Sequence, residues 1–247
     1  MKENKYIPGI YNYCDRWCER CPLKNRCFLY AREEKRLTRH KVRGEDPYDW
    51  NIIMQDIKED FKETLTLLRK FAEEQGIDLN ALPEEEPEPY DPSNHPLTKT
   101  ANNYFEMTRK YLEELRKIIN KEREDLAKRV EIIPPAEGDI ETLRGIISNY
   151  EVISWYHTLI LVKIHRALQS KMEHDEDEFA QSDADGSAKI AYIGIMKSMN
   201  ALKVIYDWNE DLRDVTLTLL VEIEKLRNGI DREFPGHRTF KRPGFDK

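Results

Sequence analysis

The chain has 247 residues, of which 35% are charged, 39% hydrophobic and 10% aromatic, with a formal net charge of −7 and a mean hydropathy of −0.76. That charge content excludes a polytopic membrane protein, while the apolar share is enough to build a core and excludes wholesale disorder. Ten glycines and twelve prolines are ordinary usage, so collagen-like and low-complexity classes are excluded as well.

The chain opens on MKENKYIPGI, which lacks the apolar stretch of a secretory signal. Its longest uncharged apolar run, Val152 to Val162, is well short of the ~20 residues that span a bilayer. A cytoplasmic protein with no membrane partner is expected. Residues 1–44 carry twelve Lys/Arg against five Asp/Glu, and the residues after them carry 28 against 42. The simpler reading docks this basic segment on the acidic body, and nucleic acid is the less favoured partner.

The first element is a basic four-cysteine module over residues 1–45. Cys14, Cys18, Cys21 and Cys27 follow the spacing C-x3-C-x2-C-x5-C, and they are all the cysteines of the chain. In a reducing compartment such thiols are expected as ligands rather than disulfides. Four thiolates complete either a tetrahedral zinc site or a cubane cluster. Bunched, uneven spacing suits a [4Fe–4S] cluster, in which each cysteine takes a different iron, and Pro22 follows Cys21 as proline follows a ligand in ferredoxin-type runs. Zinc is the alternative, because Cys18 and Cys21 make a C-x2-C knuckle. Tyr11, Tyr13, Trp17, Phe28 and Tyr30 would shield the site, and the simpler reading, compatible with it, is that these residues and the basic ones beside them glue the module to the bundle. Arg16, Arg20, Lys24 and Arg26 would offset the charge of four thiolates. The C-x3-C-x2-C portion resembles the radical SAM motif, but no β/α alternation follows to form the barrel, and Cys27 could occupy the corner that SAM needs.

A bundle of about five long helices is predicted over residues 46–247. Asp46-Pro47 reads as an N-cap followed by proline at N1, with Asp49 at N3. Trp50, Ile53, Ile57, Phe61, Leu65, Leu68 and Phe71 then recur at helical spacing, and Gly76 ends the helix at about residue 75. Residues 81–97 hold five prolines and five acidic residues and read as an extended loop. A second helix over about 99–131 keeps Phe105, Leu112, Ile119 and Leu126 seven apart, and Pro134-Pro135 stops it. Asp139 is expected to cap a third helix over about 140–172, apolar nearly all round and so placed at the bundle centre. An acidic loop over 173–186 leads to a fourth helix, about 187–207, with a small-residue stripe of Ala191, Gly194, Ser198 and Ala201. A fifth, about 210–232, repeats Leu212, Leu219 and Leu226. A basic-aromatic tail closes the chain. The fold class is all-α.

Weaker constellations lie on these helices. His157, Lys163, His165 and Arg166 sit in apolar surroundings on the third helix. His157 and His165 are candidate cofactor-binding groups of a polar pocket, against the simpler reading of satisfied core histidines. No His is preceded at three residues by Glu, which excludes a ferritin-like di-iron site. Asp185-Gly186-Ser187 would open the fourth helix, where Lys189 and unpaired N–H groups would take a small anionic ligand. The plain alternative is an ordinary N-cap. Asp207, Glu210, Asp211 and Asp214, with Glu122 and Asp125, could hold Mg²⁺ in a helical hydrolase, against the reading of a solvated acidic face.

The segments YIPGIYNYCDRWCERC, WYHTLILVKIHRAL, SDADGSAKIA and FKRPGFD resemble a family of bacterial all-helical proteins. The resemblance spans most of the chain. It implies a bacterial origin and carries no activity.

The expected function is therefore metal binding by Cys14, Cys18, Cys21 and Cys27, as a [4Fe–4S] cluster with a redox or sensing role. The alternatives are a zinc-stapled protein-interaction module without catalysis and, more weakly, a metal-dependent helical hydrolase. No residue pattern names a reaction.

Overall fold

Two contact units divide the chain: Met1–Ile7 with Cys18–Glu88, and Pro8–Trp17 with Pro89–Lys247. The division groups residues 46–88 with the segment after Cys18, whereas the sequence draws its boundary at 45/46. The structure is a computed structural model that describes residues 5–79, 81, 91–130, 137–173 and 178–246. Among the described residues there are six α-helices and no strand. None of those helices is long and apolar enough to cross a membrane. Most of the predicted 81–97 loop, and the Pro134-Pro135 stop, lie outside the described residues.

In the first unit, short 3-10 turns at Cys18–Arg20 and Lys24–Arg26 lead into α1 (Phe28–Arg43), and α2 (Trp50–Gln75) follows. The sequence reading has no counterpart of α1, because FLYAREEKRLTRHKVR shows no apolar stripe. Charge pairing holds it instead. His40 is buried with one ring nitrogen 2.6 Å from Glu45 Oε2 and the other 2.9 Å from Asp56 Oδ2. Arg36 and Arg39 donate to the same Asp56 carboxylate at 2.7 and 3.0 Å. Arg32 pairs with Asp60 one turn further along α2. The N-cap of α2 is Asp49, whose carboxylate accepts from the N–H groups of Asn51 and Ile52. Asp46, expected there, instead accepts from the N–H of Tyr48 and forms the preceding turn. Gly76 stops α2 as expected: its φ of 69° lets the Ile77 N–H reach back to the Ala72 carbonyl at 2.8 Å.

The second unit holds α3 (Pro96–Val130), α4 (Glu137–Glu173), α5 (Glu178–Trp208) and α6 (Arg213–Glu233). They pack as a ring, with α3 on α4, α4 on α5, α5 on α6, and α6 back on α3. Four helices make this bundle, in place of the five expected, since α2 belongs to the other unit. Leu115, Tyr104, Ile153, Ile195, Leu219 and Leu226 fill its centre. α4 is one wall of the ring and not its middle: Ile153, Tyr156, Ile160 and Ile164 face in, while Val162 is open to solvent.

The small-residue stripe on α5 does what small residues allow. A Cβ at Gly194 would lie 2.9 Å from the Tyr156 ring and 3.1 Å from Ile160, so α4 and α5 approach too closely for alanine. The helix start expected at Asp185 is overturned. α5 begins at Glu178, so Gly186 and Ser187 lie inside a helix whose N–H groups are engaged in its ladder. Asp139 likewise falls in the first turn of α4, which begins at Glu137.

Candidate functional site

Residues 8–17, which carry the first cysteine, lie along the bundle of their own unit. Ile10 is buried. The Tyr13 hydroxyl donates to Asp183 Oδ1 at 2.9 Å, and its ring meets Phe240 edge-on at 4.7 Å. Burial and that hydrogen bond push the Tyr13 hydroxyl up to about 12. Gly186 makes the contact possible: a Cβ there would stand 2.4 Å from the Tyr13 ring and 2.7 Å from Phe240.

Asp15 is the second anchor. Its carbonyl accepts the Trp155 indole N–H at 2.9 Å, and its carboxylate accepts from Lys197 at 3.2 Å and from the Tyr156 hydroxyl. The same carboxylate accepts the N–H of Trp17 at 3.3 Å, which holds Arg16 in the left-handed region at φ 57°. The turn lays Trp17 flat on Trp155, with ring centroids 5.0 Å apart and planes 16° from parallel. Trp17 thus anchors its segment on α4.

Cys14 lies between these anchors, half-buried, its thiol directed at the Tyr11 carbonyl at 3.7 Å. Lys163 of α4 is buried beneath the same segment, and its ammonium donates to the Asn12 carbonyl at 3.4 Å. Burial pushes the Lys163 ammonium down, as do Arg166 and Arg16, while Cys14 and Asp183 pull it the other way.

The other three cysteines belong to the first unit. Cys18 opens the first 3-10 turn, and the Cys21 N–H donates to the Cys18 carbonyl at 3.2 Å. A second 3-10 turn follows, and Cys27 is the N-cap residue of α1. The four cysteines are partly exposed thiols and none is in a disulfide. Among the described residues no three His, Cys, Asp or Glu side chains stand together in a group that could hold a metal ion.

The weaker candidates are dispersed. His157 stacks on Phe105 at 5.2 Å and directs Nδ1 to the Ser154 carbonyl at 2.7 Å. Burial pushes its pKa down, against the backbone hydrogen bonds. His165 lies two turns further along α4, and its Nε2 is 4.0 Å from Asp91. Lys189 pairs with Asp246 at 3.0 Å and with the Phe240 carbonyl, which ties down the C-terminal tail. Asp207, Glu210, Asp211 and Asp214 are exposed, and Glu210 pairs with Arg213 at 3.0 Å.

Asp15, Asp183, Tyr156 and Lys197 were not singled out by sequence reasoning. Acids and bases are so common in this chain that these four carry no local signal. Comparison with family models, with curated proteins and with solved structures finds no match for this chain.

Proposed function

We propose that this is a metal-binding helical protein in which Cys14, Cys18, Cys21 and Cys27 are the ligands of a [4Fe–4S] cluster with a redox or sensing role. The observation that carries the reading is the spacing: four thiols, the whole cysteine complement, lie within fourteen consecutive residues. The chain itself keeps them within reach of one another. Their partial exposure is compatible with it, since a thiol must be reachable for the metal to be loaded. The two 3-10 turns support it as well, because they bring Cys21 one turn from Cys18 and leave Cys27 at the positive end of α1, where a ligated sulfur is favoured. Binding would draw the thiols together, so loading is coupled to local ordering. The cluster would supply one-electron chemistry.

The knuckle at Cys18 and Cys21 also favours a second reading, a zinc-stapled interaction module without catalysis. Metal and sulfide analysis with a visible spectrum, on protein purified without oxygen, separates the two. Four iron and four sulfide per chain with broad absorption near 400 nm is the expected result. One zinc per chain and no colour supports the module. Protein without either metal, from cells supplied with both, refutes both readings.

A further inference from the structure

Among the described residues of the first unit, one helix face is apolar along most of its length. On α2, Trp50, Met54, Ile57 and Phe61 step by four, three and four residues, and after Thr64 the same register continues with Leu68 and Phe71. The α1 side of α2 is a different face, the acidic one of Asp56, Asp60 and Glu63 that takes the arginines. The apolar face is open: Trp50 is 70% exposed, Phe61 67% and Phe71 57%. With Ile57, Leu65 and Leu68 it leaves roughly 700 Å² of apolar surface in water, more than the largest patch of a typical monomer.

We infer that this face is a homodimer interface, on which α2 packs against α2 of a second copy of this chain. Three features choose that occupant. A four–three alternation, broken here only at Thr64, is the period at which one helix meshes side chains with another helix of the same repeat, and a second copy brings that repeat. The open area matches the share each partner contributes to a standard protein interface. A membrane surface is disfavoured by charge: α2 carries six acidic residues against four basic ones, and anionic lipid selects the opposite balance. The inference stands apart from the cysteine reading and holds whether or not a metal binds.

The test is the mass of the full chain by multi-angle light scattering over a wide concentration range. Twice the 29.4 kDa chain mass is expected, with Phe61→Glu and Leu68→Glu each returning the mass to one chain at unchanged helicity. Val162→Glu, on the exposed side of α4, is expected to stay at two. A mixture of isotopically light and heavy chains gives a second readout, in which cross-links among Lys58, Lys62 and Lys70 join light to heavy. A single-chain mass at every concentration overturns the inference. So does a Phe61→Glu protein that remains at two chains.

Discussion

Tyr13 and Asp183 lie 170 positions apart in the chain and share a 2.9 Å hydrogen bond. Asp183 also takes the guanidinium of Arg166 at 2.9 Å and the Ser170 hydroxyl at 3.0 Å, so one carboxylate ties residues 8–17 to two helices of the bundle. Burial pushes the Asp183 carboxyl up. The bonds from Arg166, Tyr13 and Ser170 outweigh burial and hold it below the usual range. A carboxyl depressed in the folded state contributes stability above the unfolded value of about 3.9, and loses that contribution as pH falls through the folded value. Asp183→Asn is expected to cost on the order of 2 kcal/mol at neutral pH and to flatten the acid limb below about pH 4. Urea unfolding of both proteins across that range checks it, and equal slopes would remove Asp183 from this role.

Gly186 gives a steric counterpart to that electrostatic tie. Alanine suits a helix interior better than glycine by about 1 kcal/mol, so on propensity alone Gly186→Ala would stabilise α5. The added Cβ meets the Tyr13 ring at 2.4 Å and Phe240 at 2.7 Å, and both rings are packed against each other. Overpacking of this kind costs roughly 1–3 kcal/mol and outweighs the propensity gain. The expected outcome is a lower Tm together with faster proteolysis within residues 8–17. A higher Tm would show that the rings move aside without cost.

In the first unit, Asp56 receives His40, Arg36 and Arg39. Burial raises the Asp56 carboxyl, and the bonds from Arg36 and His40 lower it further than burial raises it. Asp56→Ala leaves His40, 4% exposed, without that carboxylate. Breaking a buried ion pair by removing one partner costs roughly 3–5 kcal/mol. Hydrogen exchange is expected to show the amides of α1 losing protection while those of α4 and α5 keep theirs. Unchanged protection in α1 would show that the α1–α2 pairing rests on other contacts.

The helices most legible in the sequence were those whose apolar spacing is regular. α2, α3 and α6 came out within a few residues of their observed ends, and Gly76 stops α2 where the glycine rule puts it. The small-residue stripe of α5 was legible because Gly194 and Ala201 have no other use at a close helix crossing. α1 was not legible, since its partners are charges on another helix and periodicity cannot see them. The early start of α5 was masked by acids, which read as loop until Asp183 is seen to pair with Arg166 and Tyr13. The position of α4 was misread because an all-round apolar helix can mean a buried face on one side and an open one on the other, as Val162 shows. For the cysteines the sequence supplies the spacing, and among the described residues the structure gathers no three of the side chains that hold metals.

Lys163 offers the sharpest test of how the first cysteine is held. Its side chain is buried, and its ammonium reaches the Asn12 carbonyl at the long distance of 3.4 Å. Burial, with Arg166 and Arg16, pushes its pKa below the ordinary lysine value, with Cys14 and Asp183 opposing. A base depressed in the folded state binds fewer protons there than in the unfolded chain over the interval between the two values. Stability therefore rises with pH through that interval and levels off above about 10.4. Below it the full cost of the buried charge remains. Lys163→Met keeps the stem and removes the charge, so it is expected to stabilise the metal-free protein by about 1 kcal/mol or more at neutral pH. The gain is expected to shrink as pH approaches about 10. Urea unfolding of the two proteins at both pH values measures it. A loss of stability at neutral pH would mean that the attraction of Cys14 and Asp183 exceeds the burial penalty, making Lys163 a positive contributor to the folded state.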